Sequence, residues 1–364
     1  MANKYPRIAV DVSGGDYGAP ALVTGAVEAA RSRSMALKLV GKQEEIKQVL
    51  SKTKLTGIDY EIIHANEVAD MEDKPSHILR RKKNTSVQVA CELVKEGFAD
   101  GMLSAGNTGM TLACGIFNLG RIKGIERPGL ATFIPREHHP LILIDVGANV
   151  DSKPRHLVQF ALMAEVLARD ILDLPEPRVG LLNIGEEQGK GNVQVNEAHP
   201  LLQKTSLNFV GNVEGRELFA GGVDVAVCDG FVGNIALKLS EGLGVTFSSI
   251  MKTELKRGFF AKLGAFFASS AFKRFRKTLD YEEYGGAPLL GLNGTVFVCH
   301  GSAGVRAVSK AMDMTAKFIQ SEANEDIKQI LEANPEITRF KRLKRILHSS
   351  SREHSSEDEE QSES

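Results

Sequence analysis

Along the chain, short apolar runs alternate with longer stretches in which apolar residues recur every three or four positions. Four to eight apolar residues between turn signals predict a strand buried in a sheet, and the 3.6-residue period predicts an amphipathic helix. Strands are therefore expected at Arg7–Asp11, Leu37–Val40, Tyr60–Ile63, Asp100–Leu103, Leu130–Ile134, Leu141–Asp145, Arg178–Leu182, Phe209–Val213, Val223–Val227 and Thr295–Cys299. Helical patterns begin near Ala21 and cover Glu44–Leu50, Val87–Glu96, Met110–Leu119, Leu157–Asp170, a long stretch from Ile235 toward Lys256, and Val305–Ser321. Strand, turn and helix repeat in that order, which is the grammar of an α/β protein with a largely parallel sheet between helical layers. His138-His139, held between Pro135 and Pro140, reads as an exposed hairpin-like turn.

Six strand ends run into polar glycine turns. They are Ser13-Gly14-Gly15-Asp16, Ser104–Gly109 with Asn107 and Thr108, Asp145–Asp151 with Asn149, Asn183–Gly191 with Lys190, Asp229–Asn234 with Gly233, and His300-Gly301-Ser302. In open α/β sheets ligands bind beyond the carboxyl ends of the strands, so these six turns are expected to line one cleft. Val227–Lys238 stands out, because a strand stops at Asp229-Gly230 and a helix follows Gly233-Asn234. Such a turn should offer backbone N–H groups and a positive helix end to an anion. Asp229 there is either a cap or an acid–base group, and Asp145 has the same two readings. Lys190, between Gly189 and Gly191, reaches out as a point charge suited to phosphate. His300 is an acid–base group, a ligand contact or simply a satisfied residue at a helix start. No GxGxxG, P-loop or Gly-x-Ser-x-Gly elbow occurs, which argues against dinucleotide binding, nucleotide hydrolysis and a covalent acyl-enzyme. Direct transfer between two bound substrates remains, one of them anionic.

Composition narrows the partners. With 42% hydrophobic residues and 25% charged the chain can bury a large core, and a net charge of -1 argues against nucleic-acid binding. Cys91, Cys114, Cys228 and Cys299 lack metal or disulfide spacing and read as reduced thiols. Neither a signal-peptide core nor an apolar run long enough to span a bilayer is present, so a cytoplasmic protein is expected. Two local patches depart from the average. Arg80, Arg81, Lys82 and Lys83 form a cationic run that suits phosphate, an acidic partner or plain solvent. Seven of the 17 phenylalanines fall between Phe247 and Phe275, among them Phe259, Phe260, Phe266 and Phe267, interleaved with Lys273 and Arg274. That segment suits a membrane surface, a hydrophobic ligand, an acidic partner, a dimer interface or a core helix. Residues 1–325 are read as one α/β domain with an amphipathic segment near 245–278, then a basic helix over 326–348 and a disordered acidic tail over 349–364.

Ser104–Gly109, Asp145–Asp151, Asn183–Gly191, Cys228–Lys238 and Leu279–Gly294 resemble the signature segments of the bacterial phosphate acyltransferases, the fatty acid/phospholipid synthesis proteins, in order from about Arg7 to Ser321. The resemblance implies transfer of an acyl group from acyl carrier protein to inorganic phosphate, with the acyl phosphate passing to a membrane glycerol-phosphate acyltransferase. It further implies a homodimer, peripheral membrane association, no cofactor or metal, and a fold similar to the isocitrate/isopropylmalate dehydrogenases and phosphotransacetylases. Lys190 would then bind phosphate or the developing oxyanion, and Asn234 with the Gly233 and Ile235 backbone would supply donors. Asn107, Thr108 and Asn149 would orient phosphate, with Gly14, Gly15, Asp16, Ser104 and His300 around the substrate and Asp229 or Asp145 accepting a proton. The cations at Arg80–Lys83 and Lys273-Arg274 would dock the carrier protein, and the phenylalanines would meet the acyl chain or the membrane. Ser13 replaces the family's usual Met, Ser152 its usual Cys and Cys299 its usual Ser, none of which removes a charged or amide group. A phosphotransacetylase-like enzyme acting on acyl-CoA and a non-catalytic lipid- or nucleotide-binding protein are the alternatives.

Overall fold

Among the described residues eleven strands pair edge to edge into one sheet, with spatial order β3-β2-β1-β4-β11-β10-β5-β6-β9-β7-β8. The strands are β1 (Arg7–Asp11), β2 (Ala36–Gly41), β3 (Asp59–His64), β4 (Gly101–Ser104), β5 (Gly129–Ile134), β6 (Leu141–Ile144), β7 (Val179–Leu182), β8 (Phe209–Val213), β9 (Val225–Val227), β10 (Ala287–Leu290) and β11 (Thr295–Val298). The helices are α1 (Gly18–Ser32), α2 (Gln43–Leu50), α3 (Ser86–Lys95), α4 (Thr108–Asn118), α5 (Pro154–Leu172), α6 (Val193–Leu202), α7 (Glu217–Ala220), α8 (Gly230–Leu255), α9 (Phe259–Phe267), α10 (Ser269–Leu279), α11 (Val305–Gln320) and α12 (Ala323–Ala333). The computed structural model describes residues 5–68, 82, 84–279 and 284–335. Arg80, Arg81, Lys83 and the chain from residue 336, with most of the expected basic helix and the acidic tail, lie outside them.

Alternate residues of each strand feed two separate cores, which is why the strands read as continuous apolar runs. Ile8 and Val10 face α1, α5 and α11, whereas Ala9 and Met102 face α3 and α4. Helix α5 is buried along most of its length, from His156 to Ile171. Each large apolar side chain buried in this way contributes roughly 1.5–3 kcal/mol. The expected three-layer α/β architecture is thus present. One strand was not foreseen: β10 carries Pro288 and sits mid-sheet, antiparallel to both β11 and β5.

Strand direction reverses across that seam. β1, β2, β3, β4 and β11 are mutually parallel, and so are β6, β7, β8 and β9. Antiparallel steps at β11–β10, β10–β5 and β5–β6 turn the second set against the first. The six polar turns therefore do not leave one common edge of a parallel sheet. They form two groups, one beyond β1, β4 and β11 and the other beyond β6, β9 and β7, which meet where Lys238 reaches His300.

At the opposite end of β9 lies an ion cluster. Asp224 accepts from the Arg178 amide and guanidinium at 2.8 to 3.0 Å, and Arg136 and His139 stand 3.9 and 3.4 Å from its Oδ1. Arg136 is buried and donates to the Val223 carbonyl at 2.6 Å. Burial opposes the Asp224 charge, but Arg178 prevails and holds the carboxyl below its usual range. His139 is consequently half-buried against this cluster, and only His138 matches the exposed turn expected of the pair.

Candidate active site

The first group of turns is built around Asp11, which the sequence reading passed over. Ser104 Oγ donates to Asp11 Oδ2 at 2.7 Å, and Gly106 N and Thr111 Oγ1 lie 3.1 and 3.4 Å from the same hydroxyl. Asn107 caps α4, its Oδ1 accepting from Met110 N at 3.1 Å. Gly14 has no room for a side chain, since a Cβ there would stand 2.6 Å from Gly106 N, and Gly15 has φ +74°. The two glycines let the first loop lie directly on the second, while Asp16 faces solvent and its amide donates to Gly301 O at 2.7 Å. Asp11, Ser13, Gly14, Ser86, Ser104, Asn107 and Thr111 enclose a cavity of about 10 Å³, room for about one water. Burial pushes the Asp11 carboxyl up, against the pull of Ser86, Ser104 and the Ser13 and Gly14 amides. None of these makes a well-aligned bond to Oδ1. In this group Ser104 is engaged with the Asp11 carboxyl and the Asn107 side-chain oxygen with the start of α4, while Thr108 opens that helix.

The second group gathers three loops on neighbouring strands, with the first turn of α8 at the centre. Asp145 is wholly buried, and its two oxygens accept from the Leu130, Gly147, Ala148 and Asn149 amides and from Asn149 Nδ2, at 2.7 to 3.3 Å. Burial pushes its carboxyl up while those donors pull it down. With both oxygens taken, Asp145 organises the loop and has no place left for a substrate proton. Asn149 is likewise occupied, because Nδ2 also donates to Pro128 O at 2.8 Å. Neither residue keeps the substrate role expected of it.

Helix α8 begins at Gly230, five residues earlier than the apolar pattern predicts. Asp229 Oδ1 accepts from the Phe231 and Val232 amides at 2.9 and 3.1 Å, Gly230 N donates to Asn149 O at 2.8 Å, and Gly233 N donates to Asp229 O at 2.9 Å. Every amide of the first turn thus has an internal partner. The free N–H groups expected there, including that of Gly233, are absent, and Asp229 is the helix cap. Gly233 has a different purpose, since a Cβ on it would lie 1.9 Å from Asp145 O. What the turn does present is Asn234, whose side chain is exposed over Gly147 and makes no hydrogen bond among the described residues.

Lys190 projects from the neighbouring loop, exposed, with Nζ 2.8 Å from Glu187 Oε1. That carboxylate holds the ammonium charged. Asn183 Nδ2 to Lys190 O at 2.8 Å and Asn212 Nδ2 to Glu187 O at 3.2 Å fix the loop backbone. Asn234 thus stands in the first turn of α8 and Lys190 on the loop after β7, the strand beside β9, and both keep side-chain donors available to an anion.

A link between the groups escaped the sequence reading. Lys238, one turn after Asn234, lies 3.1 Å from His300 Nε2 and 2.9 Å from Glu241 Oε2. The spacing of four residues was a usable signal, because it puts Asn234 and Lys238 on one face of the helix. All four cysteines are buried, and burial pushes the Cys299 and Cys114 thiols up to about 12, which argues against a thiolate nucleophile.

Beyond Lys238 helix α8 leaves the body of the protein, with Leu239, Leu243, Val245, Phe247 and Ile250 exposed. It continues into α9, where Phe259, Phe260, Phe266 and Phe267 are 74%, 85%, 73% and 76% exposed, and α10, where Lys273 and Arg274 face outward. Lys82, by contrast, is half-buried and donates to Val68 O at 2.8 Å. Among the described residues no helix is long and apolar enough to cross a membrane.

The model of the fatty acid synthesis protein family matches residues 6–326. The phosphate acyltransferase of Nitratidesulfovibrio vulgaris is 54% identical over 92% of this chain and 97% of its own, and that of Lawsonia intracellularis is 53% identical over 93% and 99%. Among solved structures, a phosphotransacetylase from Streptococcus pyogenes superposes with a TM-score of 0.58 at 20% identity, covering 88% of this chain and 94% of that one. The EutD phosphotransacetylase from Staphylococcus aureus gives 0.57 at 16% identity, covering 87% and 94%. At these identities the structures speak for the fold alone.

Proposed function

The chain belongs to the fatty acid synthesis protein family of phosphate acyltransferases and is an acyltransferase, and on that premise we propose that it transfers a long-chain acyl group from acyl carrier protein to inorganic phosphate. The observation that carries the reading is the second group of turns, where Asn234 is exposed in the first turn of α8, whose own amides are all engaged, and the charged Lys190 stands on the loop after the adjacent strand β7. Phosphate is already a nucleophile at neutral pH, so the site has only to hold it in line with the thioester carbonyl. Lys190 supplies charge and Asn234 supplies a directed amide donor. Neither Asp229, the cap, nor Asp145 is needed as a base.

The remaining surfaces fit the same reaction. The exposed apolar stripe of α8 suits a second copy of the chain in a homodimer, and the phenylalanines of α9 suit an acyl chain or the membrane surface where the acyl phosphate is passed to glycerol 3-phosphate acylation. Lys273 and Arg274 suit the acidic carrier protein. Residues 1–325 would act as one catalytic unit. The reading is tested by mixing the protein with long-chain acyl carrier protein and phosphate, trapping acyl phosphate with hydroxylamine and following free thiol. Absence of phosphate-dependent thiol release would refute it, and activity confined to short acyl-CoA would replace it with a phosphotransacetylase. Lys190→Ala is expected to lower kcat/KM for phosphate by at least about 10²-fold in a folded protein. Near-normal turnover would remove Lys190 from the site.

A further inference from the structure

The two groups of turns are joined by α8, and the joint is a side-chain contact. Lys238 Nζ is held 2.9 Å from Glu241 Oε2 and 3.1 Å from His300 Nε2. His300 is fixed from behind by Ser302, whose hydroxyl lies 2.7 Å and whose amide lies 3.3 Å from Nδ1. An ammonium has three N–H donors, so one remains after Glu241 and His300 are served. With Nε2 accepting from Lys238, the ring proton sits on Nδ1 and is donated to the Ser302 hydroxyl. His300 and Glu241 then hold the Lys238 ammonium between them, and its third N–H is left for another acceptor. Asn234 lies about 6 Å back along the same helix face.

We propose that Lys238, held by His300 and Glu241, is the oxyanion-stabilising donor of the acyl transfer, resting on the acyltransfer reaction proposed above. The position of Lys238 one turn beyond Asn234 suits the thioester carbonyl rather than the phosphate held at the α8 N-terminus. A carbonyl oxygen is neutral before attack and gains negative charge only as the tetrahedral species forms. Donors placed in this way act on the transition state more than on the bound substrate. In the reaction a phosphate oxygen at the α8 N-terminus forms the new C–O bond. The carbonyl oxygen takes up the displaced electron pair beside Lys238, and on collapse that pair re-forms the carbonyl while the C–S bond breaks. The sulfur leaves with the C–S pair and takes the proton phosphate has lost, so acyl phosphate and a free thiol result. Glu241, His300 and Ser302 are positioning residues.

Steady-state kinetics on the full-length chain separate this from a role in phosphate binding. Lys238→Met is expected to lower kcat about 10²- to 10³-fold, leaving the KM for phosphate within about twofold, with unchanged far-UV circular dichroism and melting. His300→Gln, which keeps an acceptor for the Lys238 ammonium, should retain more kcat than His300→Leu, and Lys238→Arg more than Lys238→Met. Retention of kcat by Lys238→Met, or a loss seen only as a raised KM for phosphate, overturns the proposal. So would equal activity of the Gln and Leu variants. If the wild-type chain itself releases no thiol with phosphate, the acyltransfer reading has failed instead, and the two failures are distinct.

Discussion

Replacing Gly233 with alanine puts one methyl group where the first turn of α8 touches the Asp145 loop. The new Cβ would stand 1.9 Å from Asp145 O and 2.9 Å from Cys228 Sγ, against an ordinary contact of 3.4–4 Å. The gap must open by about 1.5 Å at the carbonyl. Asp145 cannot retreat, because five hydrogen bonds hold its side chain and its amide is bonded to Cys228 O at 3.0 Å. Helix α8 therefore moves, taking Asn234 with it. Overpacking of this kind costs about 1–3 kcal/mol, and in a chain of this length each kcal/mol lowers Tm by about 2 °C or less. A misplacement of about 1 Å in a positioning group, however, costs about 10²-fold in rate. Gly233→Ala should thus melt within a few degrees of wild type and form acyl phosphate about a hundredfold more slowly, by hydroxylamine trapping. Gly242→Ala on the same helix, where a Cβ meets nothing within 4 Å, is the control and should be neutral or slightly stabilising. Near-normal turnover by Gly233→Ala would show that close packing of α8 on the Asp145 loop does not position the reacting groups.

Asp224→Asn leaves the Arg136 guanidinium, 4% exposed, without its buried carboxylate and should cost about 3–5 kcal/mol in chemical denaturation. Because the Asp224 carboxyl is held low, its stabilisation is present above the ordinary value of about 3.9 and lost as pH falls through the lowered one. The gap between wild type and variant should therefore narrow in acid, and a pH-independent gap would contradict the assignment. Replacing Phe259, Phe260, Phe266 and Phe267 together with serine removes exposed apolar surface and should leave Tm unchanged while abolishing sedimentation with anionic vesicles. Undiminished sedimentation would take the membrane role away from α9.

Most strands were legible because both faces of the sheet are covered, so each strand is an unbroken apolar run and its turn residues stand out against it. β10 was not, since Pro288 argues against a central strand and nothing local signals that β11 and β5 will pair with it. That one strand reverses the sheet, so the division of six similar turns into two groups is a tertiary fact invisible to local pattern. Site residues divide along the same line. Asp229 as a cap, the exposure of Lys190 and the accessible position of Asn234 follow from residue type and spacing. The engagement of the Gly230 amide does not, because its acceptor, Asn149 O, comes from a loop 81 positions earlier. Asp11 was missed because a carboxylate closing an apolar strand looks like the start of a turn, and its burial depends on Ser86 and Ser104 folding over it.

The sealed first turn of α8 also bears on selectivity among ions. A helix N-terminus with open amides is an indiscriminate trap, in which chloride and sulfate compete with any substrate of like charge. Here the amides are engaged by Asp229 and Asn149, so discrimination falls to side chains that can be exchanged one at a time. Inhibition by simple salts should be weak for that reason, and the choice of nucleophile can drift through single substitutions without dismantling the fold that carries it.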